Sequence, residues 1–170
     1  MDPGSAFGTG SHPTTRLCLE ALEQAPPVEA LVADLGCGSG VLGLAALGLG
    51  ATAVVAADTD SLAVRATGDN RELNGRSGDQ LKVSLGSVEA LQELLEGRRA
   101  DLLLCNILAP VIEALAPGFD SLVAPEGRAL LSGLLVDQAP RLEQVLGDLG
   151  WRVTARGSQG RWGLLEIRRR

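Results

Sequence analysis

The stretch Asp34-Leu-Gly-Cys-Gly-Ser-Gly40 sets glycines at 36, 38 and 40 behind one carboxylate. Glycine there permits tight turning and leaves bare backbone on which a ligand can lie. The motif joins an apolar run, Ala30 to Gly36, to a small-residue helical stretch, Gly40 to Gly50. The first N–H groups of that helix face the same space, so the pattern suits a nucleotide-type ligand. Other polar residues fall just past apolar runs. Asp58 could accept both hydroxyls of a ribose. The Gly86–Val88 turn would lie beside a base. Asn106 could accept a hydrogen bond from an amine and aim its lone pair. Each has a plainer reading: a turn aspartate, a helix cap at Ser87, a turn asparagine.

Two nucleotide classes compete. Gly38, Gly40 and Gly43 satisfy the G-x-G-x-x-G spacing of dinucleotide sites. Asp34, however, lies two residues before the first glycine, where its charge would repel a pyrophosphate. A cationic ligand would be welcome there. S-adenosylmethionine carries a sulfonium and an α-ammonium group and no phosphate. Asp58 fits either class.

Alternating elements must place these residues. Strands are predicted at Ala30–Gly36, Thr52–Asp58, Gln80–Gly86, Asp101–Leu108 and Gly127–Leu135. Helices are predicted at Gly40–Gly50, Ser61–Gly75, Ser87–Gly97, Pro110–Val123 and Asp137–Leu149. Ser61 can cap its helix, and Asp60 is the better cap candidate. The runs 151–159 and 161–170 flank Gly160 as an antiparallel hairpin. Continuous apolar strands indicate a mostly parallel sheet covered on both faces, a three-layer α/β sandwich with seven strands. Ligands of such sheets bind beyond the carboxyl ends of the strands, where the candidate residues fall.

Composition narrows the classes further. The 170 residues are 45% hydrophobic, 21% charged and 2% aromatic, with a net charge of −6. That describes one globular domain and is a poor match for gripping nucleic acid by its phosphates. Cys18, Cys37 and Cys105 form no CxxC pair, which favours reduced thiols in a cytoplasmic protein. No apolar run reaches the roughly 20 residues that span a bilayer.

The DLGCGSG motif, the Asp58 ending and the Asn106 ending together resemble class I S-adenosylmethionine-dependent methyltransferases, with their Rossmann-like fold. Asp2 to Leu22, DPGSAFGTGSHPTTRLCLEAL, resembles the segment ahead of the glycine motif in PrmA-type methyltransferases, and Asn106 to Pro117, NILAPVIEALAP, their fourth-strand region. That family modifies amines of the eleventh protein of the large ribosomal subunit. The resemblance implies S-adenosylmethionine as cofactor, contacted by Thr15, Gly36, Gly38, Asp58 and Asn106, with Asn106 also orienting the acceptor amine. It implies that the loop from Phe7 to Thr15 folds over the cofactor and that Thr15 starts the first helix. His12, the lone histidine, is read as a capping or loop-packing residue. Family members carry an N-terminal substrate-recognition domain, so residues 1–170 are expected to be the catalytic domain of a longer protein. Methylation of another amine, or a cofactor-binding half without independent activity, stay open as alternatives.

Overall fold

The computed structural model describes residues 10–170; the expectations placed on residues 1–9, including the Phe7-to-Thr9 part of the loop, lie outside them. Strands β1 (Leu31–Leu35), β2 (Ala53–Asp58), β3 (Leu81–Leu85), β4 (Ala100–Asn106), β5 (Val123–Leu135), β6 (Trp151–Gln159) and β7 (Trp162–Arg169) form one sheet, in the order β3-β2-β1-β4-β5-β7-β6. The first five run parallel. Strand β7 is antiparallel to β5, and β6 to β7, as the hairpin pattern predicts.

Helices α1 (Pro13–Gln24), α2 (Val41–Gly48), α3 (Ser61–Leu73), α4 (Val88–Leu95), α5 (Ala109–Leu115), α6 (Phe119–Leu122) and α7 (Ala139–Asp148) supply the outer layers. Successive strand residues point to opposite faces, which makes two cores. Val32, Val54, Leu102, Leu104 and Leu130 meet Leu17, Cys18 and Leu22 of α1 and Leu42, Ala46 and Leu47 of α2. Ala33, Leu35, Leu103, Cys105 and Leu131 meet Leu91 of α4, Ile112 of α5, Phe119 of α6 and Leu142 and Leu146 of α7. The buried Phe119 alone would cost about 3–5 kcal/mol if cut to alanine.

The helix predicted over 110–123 is broken. Pro117 has no N–H to donate, so α5 ends at Leu115, Ala116–Gly118 form a 3-10 turn, and the short α6 follows. Val123 then starts β5 four residues early, because it is fully buried and pairs with Ala100. Helix α3 is capped by Asp60, whose carboxylate accepts the Leu62 N–H at 2.9 Å, and not by Ser61. Ser87 occupies the N-cap position of α4 without a side-chain cap bond. Instead its N–H donates to Glu89 Oε1 at 3.0 Å.

Candidate functional site

In this strand order the connections reverse direction between β1 and β4, the place where open α/β sheets leave a crevice. A cavity of about 70 Å³ opens there, lined by Thr15, Asp34, Gly36, Cys37, Gly38, Val41, Leu42 and Asn106. The structure thus brings Thr15, Gly36, Gly38 and Asn106 together. Asp58 stands beside them, joined through Gly38.

The glycine turn is built by neighbouring strands. Gly36 and Cys37 both donate backbone N–H groups to Ala57 O, at 2.9 and 3.0 Å. Gly38 donates to Asp58 Oδ2 at 2.9 Å, while Asp58 Oδ1 accepts from Asp60 N at 2.9 Å. Each carboxylate oxygen keeps a lone pair for a further donor. Nothing lies within 4 Å of where a Gly38 Cβ would stand, so this backbone is bare to the cavity side. Gly43, the third glycine of the dinucleotide spacing, lies inside α2; a Cβ there would meet Val54 Cγ1 at 3.0 Å, so this glycine serves helix–sheet packing.

The sequence reading missed the supports of the turn on α3. Thr67 Oγ1 donates to Gly38 O at 2.9 Å and lies 3.4 Å from Cys37 Sγ. Asn70 Nδ2 donates to Ser39 O at 2.8 Å. Their one sequence signal is polarity at i and i+3 of the helix, shared by many solvated faces.

Asn106 ends β4 opposite α1. Its Nδ2 donates to Thr15 Oγ1 at 3.5 Å, and its Oδ1 is buried without a hydrogen-bond partner. Thr15 is buried on the first turn of α1, which starts at Pro13. The helix is capped one residue earlier by His12, whose Nδ1 accepts from Thr14 N at 3.3 Å. The His12 ring meets Trp162 edge-on at 5.0 Å, so it serves as the cap and packing residue the sequence suggests.

Asp34 is 2% exposed, and its Oδ2 also lacks a partner. Burial pushes this carboxyl up to about 7; the Gly43 backbone N–H pulls it down and the Asp58 charge adds to the rise. Burial, reinforced by Asp34, likewise raises the thiols of Cys18 and Cys37 to about 12, and Cys105 is raised for the same reasons. These are inert core thiols. Gly86 N donates to Asp58 O at 2.9 Å, which sets the predicted base-side turn next to Asp58.

Only four buried side-chain polar atoms lack partners among the described residues, and two of them, Asp34 Oδ2 and Asn106 Oδ1, belong to residues lining this cavity. A larger space, about 250 Å³, lies between the start of α7 and the hairpin, lined by Leu134, Val136, Arg156 and Leu164 among others. It has no such atom, so size does not select it as the site. Among the described residues no group of His, Cys, Asp or Glu could hold a metal, and no helix is long and apolar enough to cross a membrane.

Comparison with known proteins agrees with this geometry. The family model for ribosomal protein L11 methyltransferase (PrmA) matches residues 1–170. The ribosomal protein L11 methyltransferase of Parasynechococcus marenigrum is 94% identical over all of this chain, which covers 59% of that relative. Its counterpart from Thermosynechococcus vestitus is 46% identical over 99% of the chain and 56% of its own length. The chain therefore spans rather more than half the length of these relatives. The crystal structure of a ribosomal protein L11 methylase from Lactobacillus delbrueckii superposes with a TM-score of 0.83 at 33% identity, covering 95% of this chain and 81% of that one. A tRNA methyltransferase from B. subtilis shares the fold alone, with a TM-score of 0.70 at 18% identity over 89% of this chain and 65% of that one.

Proposed function

Because the chain belongs to the ribosomal protein L11 methyltransferase family, we propose that it is the catalytic domain of such an enzyme. It binds S-adenosylmethionine and directs its methyl group to amines of ribosomal protein L11. The observation that carries this reading is the pair of unpartnered buried oxygens, Asp34 Oδ2 and Asn106 Oδ1, on one small cavity. A site with surplus acceptors suits a ligand that brings N–H donors or positive charge. It does not suit a pyrophosphate, so the dinucleotide alternative is disfavoured.

The residues fit the cofactor. Gly38 offers it bare backbone, Gly36 lines the same cavity, Asp58 keeps lone pairs for ribose hydroxyls, and Thr15 and Asn106 close the far wall. Leu85, 58% exposed and paired in register with Asp58, gives an apolar face for the base. Asp34 faces the cationic end. When bound, S-adenosylmethionine supplies an electrophilic methyl on a sulfonium.

The chain's task is then alignment. Thr15 Oγ1 holds the Asn106 amide by its Nδ2, which leaves Oδ1 to accept an N–H of the acceptor amine and fix its lone pair. The lysine or terminal amine must arrive neutral, and burial lowers its pKa in that direction. Such placement can contribute roughly 7–11 kcal/mol to a bimolecular reaction. Capture of L11 falls to the remaining part of the longer relatives, which supplies a substrate-recognition domain. The net charge of −6 disfavours a direct nucleic-acid contact, and the three unpaired thiols suit a cytoplasmic setting.

Two measurements test this. Calorimetric titration of the chain with S-adenosylhomocysteine should show one site, and NAD none. Joined to the N-terminal region of its relatives, the chain should add 14-Da increments to purified L11. Saturable NAD binding, or unmodified L11 after long incubation with S-adenosylmethionine, would refute it.

A further inference from the structure

We propose that Ile107 is a positioning residue: a wedge between two glycines that fixes the Asn106 amide against the glycine turn. The inference rests on the cofactor reading above and adds a residue that the site description does not include.

Ile107 directly follows Asn106 and is held from two sides. On one side its Cγ2 fills the space in front of Gly36; a Cβ placed there would stand 2.5 Å from it. On the other side its backbone lies on Gly133, where a Cβ would stand 2.7 Å from Ile107 C and 2.9 Å from Ile107 N. Gly133 has φ +86, a left-handed conformation that glycine adopts without strain, and sits where the β5–β7 register shifts between Ser132 and Leu134. Ile107 N–H donates to Ser132 O at 3.1 Å, one residue beyond the Asn106–Ser132 register pair.

The peptide after Asn106 therefore cannot move toward the turn without meeting Gly36, nor toward β5 without meeting Gly133. Close-packed contacts of this kind transmit displacement. A shift of Gly36 is felt at Asn106 through one methyl group, which couples the cofactor turn to the acceptor end of the site.

A double-mutant cycle reads this coupling through binding of S-adenosylhomocysteine to the whole chain, with melting curves as the folding control. Gly36 has φ +73, so Gly36→Ala strains the backbone in every background and lowers melting in all of them. Free, the turn can still back away from Cγ2; bound, it must return, and that overlap appears as lost affinity. Gly36→Ala should weaken binding about 10- to 100-fold with Ile107 present. In an Ile107→Ala background, which lacks Cγ2, the same change should weaken it by less than about 5-fold. In an Ile107→Val background, which keeps Cγ2, the large loss should persist. Melting temperature falls for both Ile107 variants and so cannot mimic this pattern. An equal loss of affinity for Gly36→Ala in all three backgrounds would overturn the wedge. So would, if that variant does not fold, an Ile107→Ala chain that binds S-adenosylhomocysteine as tightly as Ile107→Val. If the unmodified chain itself does not bind S-adenosylhomocysteine, the cofactor reading falls and the wedge with it.

Discussion

Gly38 donates its backbone N–H to Asp58 Oδ2 at 2.9 Å, across 20 positions of sequence. The bond joins the turn after β1 to the end of β2, so one carboxylate shapes the glycine turn and, on the proposed reading, also accepts the ribose hydroxyls. Asp58→Ala should lower affinity for S-adenosylhomocysteine by about 1–3 kcal/mol, because it strands the Gly38 and Asp60 N–H groups and removes the ribose acceptor. Equal affinities by calorimetry would contradict the ribose assignment.

Thr67 tests the support from α3. Thr67→Val keeps the volume and removes the hydroxyl that bonds Gly38 O at 2.9 Å. The loss should be about 0.5–1.5 kcal/mol, or a few degrees in melting temperature for a domain of this size. Ligand affinity should fall along with it. An unchanged melt would show that the bond adds nothing in water.

Asp34 makes stability depend on pH. Its folded carboxyl is raised from 3.8 to about 7, so between those values the folded chain holds a proton that the unfolded chain has released. Stability therefore falls as pH rises through that window and levels off above it. Asp34→Asn should remove the slope, with a difference of at most about 4 kcal/mol between urea unfolding at pH 4 and pH 8. Glu143 and Glu166 are lowered and titrate in the opposite sense, so only the difference between wild type and variant isolates Asp34.

The same group links binding to protons. An ammonium group beside Asp34 favours its charged form, so binding of S-adenosylhomocysteine, through its α-ammonium, should release a proton near pH 6 and tighten toward pH 7.5. Calorimetry in two buffers of different ionisation enthalpy measures that proton. Identical heats in both, or proton release that survives Asp34→Asn, would contradict it.

On the proposed mechanism, Asn106 divides binding from turnover. Asn106→Ala should leave S-adenosylhomocysteine affinity within a few-fold and lower kcat for L11 methylation at least about 100-fold, since the amine loses its orienting acceptor. The assay uses the chain joined to its relatives' N-terminal region. Unchanged kcat would remove Asn106 from the mechanism.

The central strands were legible because burial on both faces writes them as unbroken apolar runs, as at Leu102 to Cys105. The glycine turn, Asp58 and Asn106 were legible because each ends such a run. The break at Pro117 was missed, because the helix predicted from Pro110 runs straight through it to Val123. Val123 joins β5 only through its pairing with Ala100, a partner no local pattern names. Thr67, Asn70 and the side chain of Ile107 escaped for the same reason. Their roles come from contacts 29 and 31 residues back for the first two, and from the meeting of three chain segments for the last.

The ring of His12, which caps α1, abuts Trp162 at the start of β7. The terminal hairpin is thus the abutment on which the first helix rests, and Thr15 rides on that helix. Damage at the hairpin tip near Gly160, far along the chain from the glycine turn, should loosen Thr15 and through it the hand that steadies Asn106.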